Sequence, residues 1–262
     1  VNSTGYNTIA GGLVGEGVFD YLTVTDSLNK IHAVIATKGT PTARDDLQQV
    51  EEDGVYAGGE FGFVQNVASL RVAHDTIDAR IVAASSLIQR LGGVAGYVQG
   101  IVSDAVAIEN CAVNASIAST GTGYIDVSMG GLVAYAAEHN GGSYEGIVFA
   151  MMNDVTVSME AASTGNIYAG GVAGYIDAST EDKYVGGIYS AVMQVKAPAG
   201  KDLIKLTSKN VNRFYVGGVA GRIVSPRAVS KIGTCMIDGS IDVAAENVAD
   251  SSAAGGVTGE II

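Results

Sequence analysis

The sequence predicts an all-β chain: a right-handed parallel β-helix, or solenoid, of about seven irregular repeats. Three observations lead there: a recurring Gly-Gly motif, alternating apolar strands between its copies, and a composition suited to thin β layers. The chain is 47% hydrophobic, yet its 262 residues include no Trp, five Phe and three Pro beside 36 Gly. An interior built on Ala, Val and Ile fits stacked strands better than a large globular core.

In chain order the motif reads Gly11-Gly12-Leu13-Val14-Gly15, then Gly58-Gly59-Glu60-Phe61-Gly62, then Gly92-Gly93-Val94-Ala95-Gly96-Tyr97. It returns as Gly130-Gly131-Leu132-Val133-Ala134-Tyr135 and Gly170-Gly171-Val172-Ala173-Gly174-Tyr175. The last copies are Gly217-Gly218-Val219-Ala220-Gly221 and Gly255-Gly256-Val257-Thr258-Gly259. First glycines follow one another at 47, 34, 38, 40, 47 and 38 residues, so insertions are absorbed between units. A glycine pair ahead of an apolar strand marks a corner that needs positive φ or close backbone approach, and Gly allows both. Stacked corners let successive turns sit ~4.8 Å apart, and the crossover rule favours the right-handed coil. One large, roughly three-sided coil per repeat is expected.

Between the motifs lie segments of period-two alternation, which read as half-buried strands. Ile77, Ala79 and Ile81 oppose Asp78 and Arg80; Cys111, Val113, Ala115 and Ile117 oppose Ala112, Asn114 and Ser116. Val155, Val157 and Met159 oppose Asp154, Thr156 and Ser158, and Cys235, Ile237, Gly239 and Ile241 oppose Met236, Asp238, Ser240 and Asp242. A further short strand leads into each glycine pair, as at 124–129 and 211–216. Both cysteines open the inward face of equivalent strands, so both are expected to be buried thiols. Three repeats separate them by ~14 Å, too far for a disulfide.

The stretch Ile108-Glu109-Asn110-Cys111-Ala112-Val113-Asn114, taken with the Gly-Gly-Leu-Val-Gly motif, resembles the GLUG repeat. The resemblance covers nearly the whole chain and implies a stalk or interaction role in a large secreted or surface-anchored bacterial protein. It supplies no catalytic residues. The chain is more Ala-rich, less Asn-rich and longer per repeat than that family's pattern.

The two longest intervals hold expected insertions near 37–53 and 197–212 within a single solenoid domain spanning 1–262. Pro41 and Pro198 fall in them and Pro226 follows the sixth motif, so no proline interrupts an expected strand. The net charge of −12 argues against general nucleic-acid binding, which needs a cationic face. No apolar run is long enough to span a membrane. Residues 91–182 carry ten acids and no Lys or Arg, whereas 183–231 carry nine cations against Asp202 alone. This basic collar includes Lys201, Lys205, Lys209 and Arg213, a candidate patch for acidic glycan or a protein partner. The same cations also suit a purely solvating role. The acids of 91–182 lack the close spacing of a divalent-cation site.

Catalytic chemistry finds little support. Gly12-x-x-Gly15-x-Gly17 lacks the following helix and acidic partner of a dinucleotide site, and no motif carries the Asp of a calcium-binding nonapeptide. His32, His74 and His139 lie in different repeats. The densest polar run, 74–80, places His74, Asp78 and Arg80 on one outer face, as a carbohydrate-active β-helix enzyme would require. Solubility and edge protection require the same pattern. Tyr97, Tyr135 and Tyr175 follow the motif and Tyr56, Tyr168 and Tyr215 precede it, forming either a sugar platform or a self-stacked column. No catalytic, cofactor or metal residue is assigned. The expectation is a non-catalytic structural or adhesion module, secreted or at the bacterial surface, within a longer array or between neighbouring domains; a lyase or hydrolase is the alternative.

Overall fold

The computed structural model describes residues 2–3, 8–18, 21–25, 30–37, 54–67, 69–73, 75–84, 88–100, 106–109, 111–120, 126–138, 150–152, 155–177, 187–188, 193–224, 231–232 and 235–262. All regular structure among them is β, and the strands stack in parallel as a β-solenoid. After each glycine pair comes one strand of a seven-stranded parallel sheet: Val14–Val18, Phe61–Val67, Ala95–Gly100, Val133–Glu138, Ala173–Asp177, Ala220–Val224 and Thr258–Ile261. The first three coils continue through a three-stranded sheet made of Tyr21–Thr25, Ser69–Ala73 and Val106–Glu109. The chain then enters a 15-stranded sheet that leads back to the next glycine pair. Seven corners enclose one circuit fewer than there are motifs, so the turns number fewer than the repeats expected from sequence.

The alternation read from the sequence sets the core. In Thr76–Ala83 the burial pattern alternates strictly at first, with Ile77, Ala79 and Ile81 buried and Thr76, Asp78 and Arg80 exposed. In-register pairing then aligns like with like. Ile35, Ile81, Ile117, Val157, Ile204 and Ile241 form one column along the solenoid. Burial of such a side chain stabilises by about 1.5–3 kcal/mol, so Ile81, Ile117, Val157 and Ile204 act as the spine of the interior.

The glycines answer the question of positive φ against close approach. The one positive-φ glycine among the described residues is Gly200, outside every motif. At the corners the demand is for space. A Cβ on Gly92 would stand 1.9 Å from the Ala95 carbonyl oxygen of its own coil. A Cβ on Gly93 would stand 2.0 Å from the Gly131 carbonyl oxygen of the next. The first glycine therefore permits the bend and the second permits the stacking. Backbone bonds then tie corner to corner: the N–H groups of Val94 and Ala95 both donate to the Leu132 carbonyl, at 2.8 and 3.0 Å.

Two expectations change, and a third falls outside the described residues. Residues 197–212 hold a short insertion at the turn 198–201 and not a long loop: from Asp202 the chain forms the long strand Asp202–Gly217, because its alternation continues that of Thr156–Gly170, with which it pairs in register. Against the preceding interval, the register shows about three extra residues between Asp177 and Gln194 and about four between Val195 and Ile204, at the turn. The insertion at 37–53 lies outside the described residues except for Thr37, which closes the strand Lys30–Thr37. Finally, neither cysteine is in a disulfide, but only Cys111 is buried; Cys235 is half-buried, with no further coil of the described residues stacked beyond it.

Candidate functional site

The outer face of the large sheet carries a polar concavity beside the collar. Alternation turns Ser116, Thr156 and Ser158 outward, and register stacks Arg80, Ser116 and Thr156 in one column. Beside them Pro198, Ala199, Gly200 and Lys201 form a tight turn, closed by the Lys201 N–H donating to the Pro198 carbonyl at 3.0 Å. Gly200 takes φ 71°, which fits the third position of a type II turn. The turn stands as a ridge. On one side a cleft of about 630 Å³ is lined by Ser116, Thr156 and Ser158 together with Lys201, Asp202 and Lys205. On the other a cleft of about 580 Å³ is lined by Lys196, Asp238 and Ser240 among others.

The structure distributes the basic patch along one strand. Lys201 and Lys205 share the first cleft, whereas Lys209 and Arg213 lie further along the same strand, at steps of four residues or ~13 Å. Much of the collar meets the next coil. Lys196 pairs with Asp238 at 3.7 Å, Lys205 with Asp242 at 3.9 Å, and Arg222 with Glu260 at 2.6 Å, while Arg213 pairs with Asp250. Hydrogen bonding from Arg213 and from the Ser251 N–H holds the Asp250 carboxyl below its ordinary range. The cations of the collar and the acids between Asp238 and Glu260 are therefore two faces of one inter-coil junction.

The other sequence candidates separate. Asp78 and Arg80 are outward and exposed, and Asp75 is buried at the start of the strand. His74 and His139 lie outside the described residues. The backbone of His32 is in register with Asp78. Among the described residues no three His, Cys, Asp or Glu side chains gather around a common centre.

The tyrosines line the outer side of the glycine corner, where the strands before and after the motif fold toward each other. Phe63, Tyr97, Tyr135 and Tyr175 occupy one register column, with Arg222 and Glu260 continuing it. Phe63 and Tyr97 stack at 4.7 Å with 8° between planes, and Tyr168 stacks on Tyr175 at 4.8 Å. Arg90 sits 4.8 Å over the Tyr135 ring and Arg222 lies 5.1 Å over Tyr215. Burial, followed by the nearby Asp177 carboxylate, pushes the Tyr175 hydroxyl up to about 12 and raises that of Tyr135 further. The ring faces are spent on one another, so this column is a packing device.

One residue escaped sequence reasoning. Glu60 takes the motif position held elsewhere by Leu13, Val94, Leu132, Val172, Val219 and Val257, and it is fully buried. Neither carboxyl oxygen has a hydrogen-bond partner. Burial, with Asp75 as a second cause, pushes its carboxyl up to about 8, so it is largely protonated at neutral pH. The signal was a lone charge at a position that is aliphatic in the six other copies.

Comparison of the chain with protein-family models, curated proteins and solved structures finds no match. No helix among the described residues is long and apolar enough to cross a membrane.

Proposed function

We propose that the chain is a non-catalytic structural and adhesion module, of the kind displayed at or secreted from bacterial surfaces, whose outer cleft beside the 198–201 turn binds an acidic glycan. The observation that carries the reading is the lining of that cleft. Ser116, Thr156 and Ser158 offer small hydroxyls on a flat strand floor, and Lys201 and Lys205 add ammonium groups at the rim. Asp202 can accept from sugar hydroxyls and disfavours a densely anionic chain, so one carboxylate per sugar fits better than several sulfates. The resemblance to GLUG repeats supports surface display.

A glycan array followed by titration calorimetry with an oligouronate tests the reading. Binding that falls about tenfold or more in Lys201→Glu/Lys205→Glu and weakens with added salt is the expected result. Binding unchanged in that variant, or absent across all acidic glycans, overturns it.

A further inference from the structure

One outward cation of the large sheet lies beyond the cleft and in line with its floor. Ser116, at the edge of the cleft, is in register with Arg80 one coil earlier and with Thr156 one coil later. Arg80 points outward because Ala79 and Ile81 on either side of it are buried, and it is exposed. Its register neighbours, Val34 and Ser116, are neutral. The collar cations Lys196, Lys205 and Arg213, by contrast, each pair with an aspartate.

Between Arg80 and Lys205 the floor is small and uncharged. The strand Cys111–Ser119 presents Asn114, Ser116 and Ala118 outward, and the next presents Thr156 and Ser158, with Ser158 in register with Lys205. Glu160, exposed one outward step past Ser158, bounds one flank with negative charge, and the 198–201 ridge bounds the other. The two cations stand three strand spacings apart along the solenoid axis, or ~14 Å. Each lies near a carboxylate: Asp78 is two residues before Arg80 on the same outer face, and Asp202 lines the cleft with Lys205.

We infer that an acidic glycan lies along the solenoid axis, across the strands, with one carboxylate on Arg80, a second on Lys205 and Lys201, and a neutral sugar over the floor of Ser116 and Thr156. This track extends, and depends on, the glycan reading of the cleft. A carboxylate held above the floor would meet hydroxyls but no cation, and its desolvation would go uncompensated. A neutral ring finds donors and acceptors there that match its own. Chains in which uronates alternate with neutral sugars therefore fit the track better than an unbroken polyuronate. The Arg80 guanidinium can hold its carboxylate through two parallel N–H bonds, which an ammonium cannot.

Titration calorimetry of the full chain is the test, with two tetrasaccharides and the disaccharide of each: glucuronate alternating with N-acetylglucosamine, and an all-uronate chain. The alternating tetrasaccharide is expected to bind more tightly than the all-uronate one, although it carries fewer carboxylates. Arg80→Ala should weaken it about tenfold and leave its disaccharide unchanged, and Arg80→Lys should recover part of the loss. Both variants should melt with the parent, because the side chain is exposed. Tetrasaccharide binding that Arg80→Ala leaves unchanged, while Lys201→Glu/Lys205→Glu still weakens it, overturns the second anchor and leaves the cleft standing. Tighter binding of the all-uronate chain overturns the order of sugars. Binding indifferent to the lysine pair, or no binding of either chain, overturns the track together with the role of the cleft.

Discussion

The coil containing Asp202–Gly217 and Ala220–Val224 and the coil containing Ser240–Val248 and Thr258–Ile261 are written in one pattern. They differ in what lies on top of them. In the first, Leu203, Ile204, Leu206 and Val219 are at 0–1% exposure; in the second, Ile241 and Val243 are half-buried and Val257 is at 48%. Their inward residues are equally aliphatic, so alternation states which way a side chain points and the neighbouring coil decides how deeply it is buried. This is the nearest-neighbour logic of stacked repeats. It also explains why the collar cations of the first coil find partners: the second coil supplies Asp238, Asp242, Asp250 and Glu260 beside them.

The comparison can be broken most strongly in the spine column. Ile117→Ala leaves a cavity between two covered coils and is expected to cost about 3–4 kcal/mol in chemical denaturation. Ile241→Ala, at the half-buried end of the same column, is expected to cost under about half of that. Equal costs would show that burial depth does not follow from the neighbouring coil.

A second test concerns the corner that differs in sequence. Glu60→Leu restores the aliphatic residue of the other copies and is expected to stabilise by on the order of 2–3 kcal/mol at pH 7. The sign with pH follows from a folded carboxyl raised to about 8 from its ordinary value of 4.5. Between these values the folded state holds a proton that the unfolded state has released. Stability should then fall as pH rises, by up to ~1.4 kcal/mol per unit, and level off above about 8. Melting curves across that range check it; a parent slope that survives in Glu60→Leu would assign the proton elsewhere.

The smallest effect belongs to the inter-coil ion pairs. Lys205→Glu should destabilise by under ~1 kcal/mol, Asp242→Lys in the same chain should recover part of it, and added salt should shrink both. Failure of the swap to recover any stability would mean that the pair sets no register.

Much of this was legible in the chain. The Gly-Gly recurrence located the corners, and alternation at 76–83 and 111–119 placed the inward faces correctly, because a strand's period of two needs no partner to be read. What stayed hidden depends on the adjacent coil. Residues 202–212 looked like part of an insertion because interval length was read without the strand that Thr156–Gly170 templates. The exposure of Cys235 and the pairing of the collar were hidden for the same reason. Of the candidate site, Lys201 and Lys205 were legible as charge, whereas the floor of Ser116, Thr156 and Ser158 comes from coils tens of residues away.

The central claim is that the second glycine of each corner is required by the carbonyl of the coil that follows. It is tested most directly by the stabilities of Gly218→Ala and Gly256→Ala, measured by denaturant unfolding at low protein concentration. A Cβ on Gly218 would stand 2.3 Å from the Gly256 carbonyl oxygen, and one on Gly256 would meet nothing. The account predicts a loss of about 3 kcal/mol or more for Gly218→Ala. For Gly256→Ala it predicts no loss, or a gain of about 0.5 kcal/mol from the stiffer unfolded chain. Equal losses at the two positions would contradict it.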